Sequence, residues 1–281
     1  MYRVLEKEVL ALKITRLKVD APKVASKAEP GHFLIVRVDE KGERIPLTIA
    51  DYDREEGSIT IIIQEVGFSS EQICNLEVGD EFLDLVGPLG EPIKTGGYNK
   101  VVCVAGGLGA APLYPKVKSL HKGGAEIITI LGARNEELLI LEGDFERLSS
   151  SLYVTTDDGS KGHKGFVTDI LKQVLEEEDV DMVVAIGPMI MMKFVSQLTK
   201  EYGVKTIVSL NSLMIDGTGM CGGCRVTVGG DTKFSCVDGP AFDGHLVDYD
   251  EQLRRQNFYS KHEQEVKDHV FGGEGCRVNE G

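Results

Sequence analysis

The sequence predicts a β plus α/β fold in three parts: an N-terminal antiparallel β-barrel, a parallel α/β domain, and a small C-terminal cysteine-bearing module. Three observations predict it. Short strand-like segments separated by turn residues fill positions 1–95. From Asn99 a strand–glycine loop–helix unit opens a run of alternating strands and helices. Further on, Asp216-Gly-Thr-Gly-Met-Cys221-Gly-Gly-Cys224 is followed by Cys236, a spacing that turns do not need. The expected divisions are residues 1–95, 96–210, 211–248 and a C-terminal arm at 249–281.

In the first part the expected strands are Val4–Leu17, His32–Val38, Arg44–Ala50, Ser58–Glu65 and Glu81–Val86. Pro30-Gly31, Lys41-Gly42, Glu56-Gly57 and Val78-Gly79-Asp80 separate them. No long apolar period of 3.6 residues interrupts the series, which suits a small antiparallel barrel. Three spots stand out. Arg44-Ile45-Pro46-Leu47-Thr48-Ile49 ends a strand. Val66-Gly67-Phe68-Ser69-Ser70 follows a strand and opens a short helix whose first amides suit a phosphate. Gly87-Pro88-Leu89-Gly90 closes the segment. Each alone also reads as turn chemistry; their order ahead of the next domain makes them informative.

In the second part Val101–Ala105 is an apolar strand, followed by Gly106-Gly107-Leu108-Gly109-Ala110-Ala111-Pro112 and a helix through Leu120. Pro112 near the first helical turn loses no needed N–H. Such a unit suits a pyrophosphate at the helix N-terminus. Strands are expected at Glu126–Leu131, Leu152–Thr155, Asp181–Ile186 and Lys205–Leu210. Helices are expected at Glu136–Leu148, Thr168–Glu177 and Met191–Tyr202. Alternation of this kind implies a parallel sheet with right-handed crossovers, binding its ligand at the C-terminal strand ends. Gly106, Arg134, Asp157 and Gly187 fall at such ends. Met189–Met192 reads equally well as core packing.

In the third part, thiolates at Cys221, Cys224 and Cys236 would hold iron while the glycines bring backbone N–H groups close to bridging sulfides. Zinc would ask for a second close pair of ligands. A redox Cys-x-x-Cys would open a helix, but Arg225-Val-Thr-Val alternates like a strand. The plain alternative is a glycine-rich turn with three buried cysteines. A [2Fe–2S] cluster wants a fourth protein ligand, and Cys-Gly-x-Gly-x-Cys-x-x-Cys spacing puts it at Asp216, a harder donor than thiolate. Cys103, Cys74, Cys276 or water are the alternatives. The segment after Cys236 reads as a loop. Asp248–Val270 reads as charged and patchily helical, with Leu253, Phe258 and Tyr259 as scattered apolar residues. It is either an arm that docks a partner or a solvated tail. Cys276 reads as a free thiol.

The totals exclude several classes. With 281 residues and 42% hydrophobic content the chain suits two domains and a small module. A net charge of −14 argues against general nucleic-acid binding. No apolar run reaches membrane-spanning length, and the N-terminus lacks the apolar core of a signal peptide. Six cysteines, half of them in one motif, suit a reducing compartment, so a cytoplasmic location is expected. The six histidines show no ligand spacing.

On these residues the chain resembles the ferredoxin–NADP reductase superfamily over nearly its whole length. The resemblance implies a flavin-binding barrel, a nicotinamide domain and a cluster module. It implies FAD contacts at Arg44, Pro46, Leu47, Thr48 and Ile49, with Thr48 hydrogen-bonding near the flavin ring. Ile45 stands where the family's Arg-x-Tyr-Ser pattern has its Arg. Gly67, Ser69 and Ser70 match the segment that holds the FAD pyrophosphate. Gly106, Gly107, Gly109, Ala110 and Pro112 match the dinucleotide loop. Arg134, Thr156, Asp157, Asp158, Gly187, Pro188 and Met189 match nicotinamide-domain loops. Ile186 replaces a cysteine common in the family, so no thiol role is expected there.

The cluster motif is similar to that of dihydroorotate dehydrogenase electron-transfer subunits. With Asp at its first position it looks more like the branch of small subunits of NADH-dependent reduced ferredoxin:NADP+ oxidoreductases. That branch implies FAD, NAD(H), one [2Fe–2S] cluster (metal ligands Asp216, Cys221, Cys224 and Cys236) and a larger flavin and iron–sulfur subunit as heterodimer partner. It also implies ferredoxin reached through the complex, and a role as the NAD-side arm of electron bifurcation. Glu136, Glu137, Asp157 and Asp158 crowd Arg134, which favours NAD over NADP. The competing expectations are a dihydroorotate dehydrogenase subunit, a sulfide or polysulfide reductase subunit, and a non-catalytic redox sensor.

Overall fold

The computed structural model describes residues 2–256. The barrel comprises β1 (Tyr2–Ala11), β2 (Ile14–Asp20), a short helix α1 (Pro22–Ala25), β3 (Phe33–Arg37), β4 (Ile45–Thr48), β5 (Asp51–Asp53) and β6 (Ser58–Gln64). Helix α2 (Phe68–Cys74), β7 (Glu81–Phe82) and β8 (Asp84–Leu89) complete it. The strands form two antiparallel sheets, ordered β5-β6-β2-β1-β7 and β4-β3-β8. The expected single strand Val4–Leu17 is instead the β1–β2 hairpin. It turns at Lys13, a non-glycine residue with φ 61°, so no glycine or proline announces the reversal.

The α/β domain comprises β9 (Lys100–Gly106), α3 (Ala110–Lys122), β10 (Glu126–Ala133), α4 (Glu142–Glu146), β11 (Ser151–Thr156) and β12 (His163–Lys164). It continues with α5 (Val167–Glu177), β13 (Met182–Ile186), α6 (Met189–Glu201) and β14 (Lys205–Ser209). The cluster module follows with the hairpin β15 (Arg225–Val228) and β16 (Asp231–Phe234), then β17 (Ala241–Asp243) and α7 (Tyr249–Gln256). The large sheet runs β12-β11-β10-β9-β13-β14-β17, with every pair parallel except β14–β17.

Three expectations are corrected. Glu136–Leu148 is not one helix. A short 3-10 turn at Glu136–Leu138 gives way to extended chain before α4. Leu138-Leu139-Ile140-Leu141 are four consecutive apolar residues that no single helix face could bury, and Ile140 enters the core as extended chain. The segment after Cys236 is not all loop: β17 adds an antiparallel edge to β14. The start of the C-terminal arm is not a wholly solvated tail, since Tyr249 and Gln252 of α7 are buried in this chain while Asp250, Arg254 and Gln256 are exposed. The rest of that arm, with Phe258, Tyr259 and Cys276, lies outside the described residues. No helix among the described residues is long and apolar enough to cross a membrane.

Four apolar clusters hold these parts. One fills the barrel. One lies between the large sheet and α5 and α6. A third, under α3, takes in Ile14, Ala50 and Ile62 of the barrel, so the first two parts share a core. The fourth joins Phe33 and Ile35 of β3 to Met214, Cys224 and Cys236.

Candidate functional site

Strand β4 is the outer member of its sheet, where a proline without an N–H is tolerated. Its residues lie opposite those of β3: Thr48 with Phe33, Leu47 with Leu34, Pro46 with Ile35. Cross-strand partners share a face. Leu34 and Leu47 therefore turn into the barrel core, and Pro46 and Thr48 share the outer face with Phe33 and Ile35. The structure separates the expected flavin contacts accordingly. Pro46 and Thr48 lie on that outer face, whereas Leu47 and the wholly buried Ile49 pack inward. Arg44 is exposed at the strand's start.

The same outer face carries the cluster loop. Phe33 and Ile35 pack against Cys224 and Cys236, whose sulfurs are 3.2 Å apart. Gly217 has φ 75°, and a Cβ there would stand 2.5 Å from Ile35 Cδ1, so only glycine lets the loop lie on β3. Asp216 organises the turn: Oδ1 accepts the N–H of Thr218, and Oδ2 accepts those of Met220 and Cys221. These backbone bonds, Thr218 first, hold its carboxyl below the usual carboxylate range despite some desolvation. Cys221 is exposed, its sulfur accepting the Gly223 N–H.

Among the described residues no three His, Cys, Asp or Glu side chains converge on one point as a single ion would need. A two-iron cluster spreads its four ligands over two irons, so this donor set is tested by its chemistry. A carboxylate and two thiols come from the glycine-rich loop, and the third thiol, Cys236, comes from just beyond the β15–β16 hairpin. Burial pushes the Cys236 thiol up to about 12, so that sulfur needs a bound metal to become a thiolate. The set fits a [2Fe–2S] cluster. Of the other candidate fourth ligands, Cys103 is sealed under α3 and Cys74 lies in the barrel core.

In the α/β domain the C-terminal ends of β9 and β13 converge. A Cβ on Gly109 would stand 2.2 Å from the Ile186 carbonyl oxygen, and one on Gly106 would stand 2.5 Å from Met191 Sδ. Gly106, Gly109 and Gly187 are thus glycines because backbone meets backbone or side chain there. Gly107, with φ 55°, has nothing within 4 Å of its notional Cβ, so it alone of this loop opens a cradle at the start of α3. Ala110 and Met189 are buried, Pro112 is half-buried and Pro188 is exposed. Met189 serves the core.

At the ends of β10 and β11, Arg134, Asp157 and Asp158 are exposed, and Thr156 is buried with its hydroxyl bonding the Lys161 backbone at both N–H and carbonyl. Lys161 is engaged by Glu142 at 2.8 Å and Glu136 at 3.6 Å. The sequence missed Asn135. Among the described residues its Oδ1 is the buried side-chain oxygen without a hydrogen-bond partner, in the loop that follows β10. Its polar side chain at a strand end was the available signal.

Near α2, Gly67 again has nothing within 4 Å of its notional Cβ. The Ser70 hydroxyl accepts the N–H of Val66 and of Gly67, each at 2.9 Å. The Ser69 hydroxyl pairs with Glu43. The hydroxyls are therefore engaged within the protein, and backbone amides remain for a phosphate.

The structure brings Pro46 and Thr48 to the sheet face on which Cys224 and Cys236 pack. It also joins the glycine loop's helix to the barrel: Lys118 of α3 reaches both carboxylate oxygens of Asp51, at 2.7 and 2.8 Å.

Comparison with known proteins gives concordant findings. Residues 211–248 match the iron–sulfur cluster binding domain of dihydroorotate dehydrogenase B. Residues 103–197 match the oxidoreductase NAD-binding domain. The electron-transfer subunit homolog of dihydroorotate dehydrogenase B (NAD(+)) from Thermotoga maritima is 48% identical, covering 87% of this chain and 86% of its own. An uncharacterized protein from the adh 3' region of Clostridium beijerinckii is 50% identical, covering 99% of both chains. A solved structure of NADH-dependent reduced ferredoxin–NADP oxidoreductase, studied for flavin-based electron bifurcation, is 43% identical. It superposes with a TM-score of 0.92 over 97% of this chain and 98% of that one.

Proposed function

The chain belongs to the family of dihydroorotate dehydrogenase B electron-transfer subunits, and from that premise we propose that it is the NAD-side subunit of an electron-bifurcating NADH-dependent ferredoxin:NADP+ oxidoreductase. It is an NAD(H)-dependent oxidoreductase subunit that carries FAD and a [2Fe–2S] cluster. The observation that carries this reading is the shared outer face of β3 and β4, with Pro46 and Thr48 beside the strand that packs on Cys224 and Cys236.

The chemistry supplied by the bound groups is interconversion of a two-electron hydride at the nicotinamide and single electrons at iron, through the flavin. This chain's residues position those groups. Thr48 offers a hydroxyl to the flavin ring from β4, with Pro46 on the same face. The backbone amides after Gly67 and Gly107 face the phosphates of FAD and of the dinucleotide. Asn135 Oδ1 accepts a ribose or adenine donor. Cys221, Cys224 and Cys236, with Asp216, hold the iron. No side chain is assigned proton transfer.

Lys161 is neutralised by Glu142 and Glu136, but Arg134 at the end of β10 is exposed and in no ion pair among the described residues, so the reading of NAD(H) rests on the likeness to NAD(+)-dependent electron-transfer subunits rather than on charge. The partner is a larger subunit, and we infer that it carries further flavin and iron–sulfur groups and exchanges electrons with ferredoxin in the cytoplasm. The family match to the dihydroorotate dehydrogenase cluster domain favours one second reading, the same cofactors serving a dihydroorotate dehydrogenase. Affinity purification of the tagged chain from its native cell separates the two. A large multi-cluster flavoprotein is expected, and a barrel-type dehydrogenase as sole partner would overturn the bifurcation reading.

A further inference from the structure

The helix α7 grips the cluster loop from outside. Gln252, only 1% exposed, donates from Nε2 to the Arg225 carbonyl at 3.1 Å and accepts the Ser212 hydroxyl at 3.3 Å. Ser212 bonds Ser235, whose N–H donates to the Cys224 carbonyl at 3.1 Å. One turn beyond Gln252, the half-buried Arg255 donates from Nη2 to the Gly223 carbonyl at 2.8 Å, inside the Cys221–Cys224 loop. At its other end α7 is fixed to α6. Tyr249 and Ser196 share a buried hydrogen bond of 2.7 Å, and Lys193 pairs with Asp250 at 2.6 Å. The helix is therefore a strut between α6 and the loop.

Resting on the reading of that loop as a cluster site, we propose that Arg255 is a positioning residue that braces the loop and raises the reduction potential of the cluster. Two physical effects act together. The peptide between Gly223 and Cys224 is planar and trans, so fixing its carbonyl on Arg255 directs the Cys224 N–H away from α7. A guanidinium is charged at all working pH values. Reduction adds one negative charge to the cluster, so a nearby fixed cation favours the reduced form, the more so in partly buried surroundings. A neutral residue at 255 removes both effects, whereas Lys keeps the charge and loses the fork.

The test is an anaerobic redox titration of the full chain as purified, read by low-temperature electron paramagnetic resonance, with iron and FAD assayed on the same samples. Arg255→Gln and Arg255→Met are expected to keep FAD and iron. At a fixed ambient potential they should lower the reduced-to-oxidised ratio of the cluster about tenfold, a downward shift of about 59 mV for one electron. Arg255→Lys should recover most of that shift. Loss of iron from both neutral variants, with FAD kept, would overturn the claim that Arg255 tunes an assembled cluster. Full iron with an unchanged potential in the neutral variants would overturn the proposal. So would a shift in Arg255→Lys as large as theirs. A parent chain that holds no cluster after reconstitution would instead overturn the reading of the loop itself.

Discussion

Lys116 lies wholly buried in α3, and among the described residues its ammonium bonds the Pro112 carbonyl of its own helix alone, at 2.9 Å. Burial pulls its pKa down to about 8, slightly offset by Cys103. Between about pH 8 and 10.5 the unfolded chain holds this proton and the folded chain does not, so stability rises with pH across that window. Below it the fold carries a penalty on the order of 3 kcal/mol. Lys116→Met is therefore expected to raise the melting temperature at pH 7 and to raise it much less at pH 10, in thermal unfolding of the holoprotein. A loss of stability at pH 7 would show that Lys116 has a partner under those conditions. At the cluster loop, Cys224→Ala or Cys236→Ala should remove iron while FAD remains. Asp216→Ala should remove most of it, because its carboxylate shapes the turn and, on the proposed reading, would supply the remaining donor. Iron assay with the visible spectrum decides. The cluster module at 211–248 is legible from the cysteine spacing, and that spacing also proposes Asp216 as fourth ligand. Asn135 and Arg255 are not, because their meaning lies in an unpaired oxygen and in a contact spanning from residue 255 back to 223. Asn135→Ala is expected to raise the KM for NADH several-fold with FAD and iron unchanged, in steady-state assay with an artificial acceptor.

Among the elements, α3 and β5 govern how the nicotinamide domain meets the barrel. Lys118 bonds both oxygens of Asp51 and lies 5.5 Å from the centroid of the Tyr114 ring. The pair is partly exposed, so its contribution to stability is small. Its contribution to geometry is larger, because hydride transfer depends on donor and acceptor being held at near-contact distance. Asp51→Asn should slow flavin reduction by NADH roughly tenfold in stopped-flow, with FAD content intact. An unchanged rate would mean that the shared apolar core alone fixes the domain angle. Elements with regular alternation or a clear helical period, such as β6, β13 and α5, are legible in the sequence. The β1–β2 reversal is not, since its turn uses Lys13 in the left-handed region. The stretch 136–148 misleads because its charged ends mimic a helix while its middle is apolar on every side. The edge strand β17 is invisible locally: it exists because β14 needs a partner on its open side.

At the scale of the whole molecule, three parts meet around one barrel. The barrel shares a core with the nicotinamide domain through Ile14, Ala50 and Ile62, and a second one with the cluster loop through Phe33 and Ile35. This succession of parts is legible from sequence, as is the chemistry each suits. Their meeting on one barrel is not, because the nicotinamide domain packs beside β2 and β6 of one sheet and the cluster loop on β3 of the other, and which face of β3 the loop meets depends on a register that no local pattern states. That meeting predicts a direct internal route from nicotinamide to iron within this one chain. An anaerobic titration of the purified, FAD- and iron-replete chain with NADH tests it, followed by visible absorbance and low-temperature electron paramagnetic resonance. The account predicts bleaching of the flavin together with the signal of a reduced [2Fe–2S] cluster. No bleaching of the flavin, in folded protein with its cofactors in place, would contradict it.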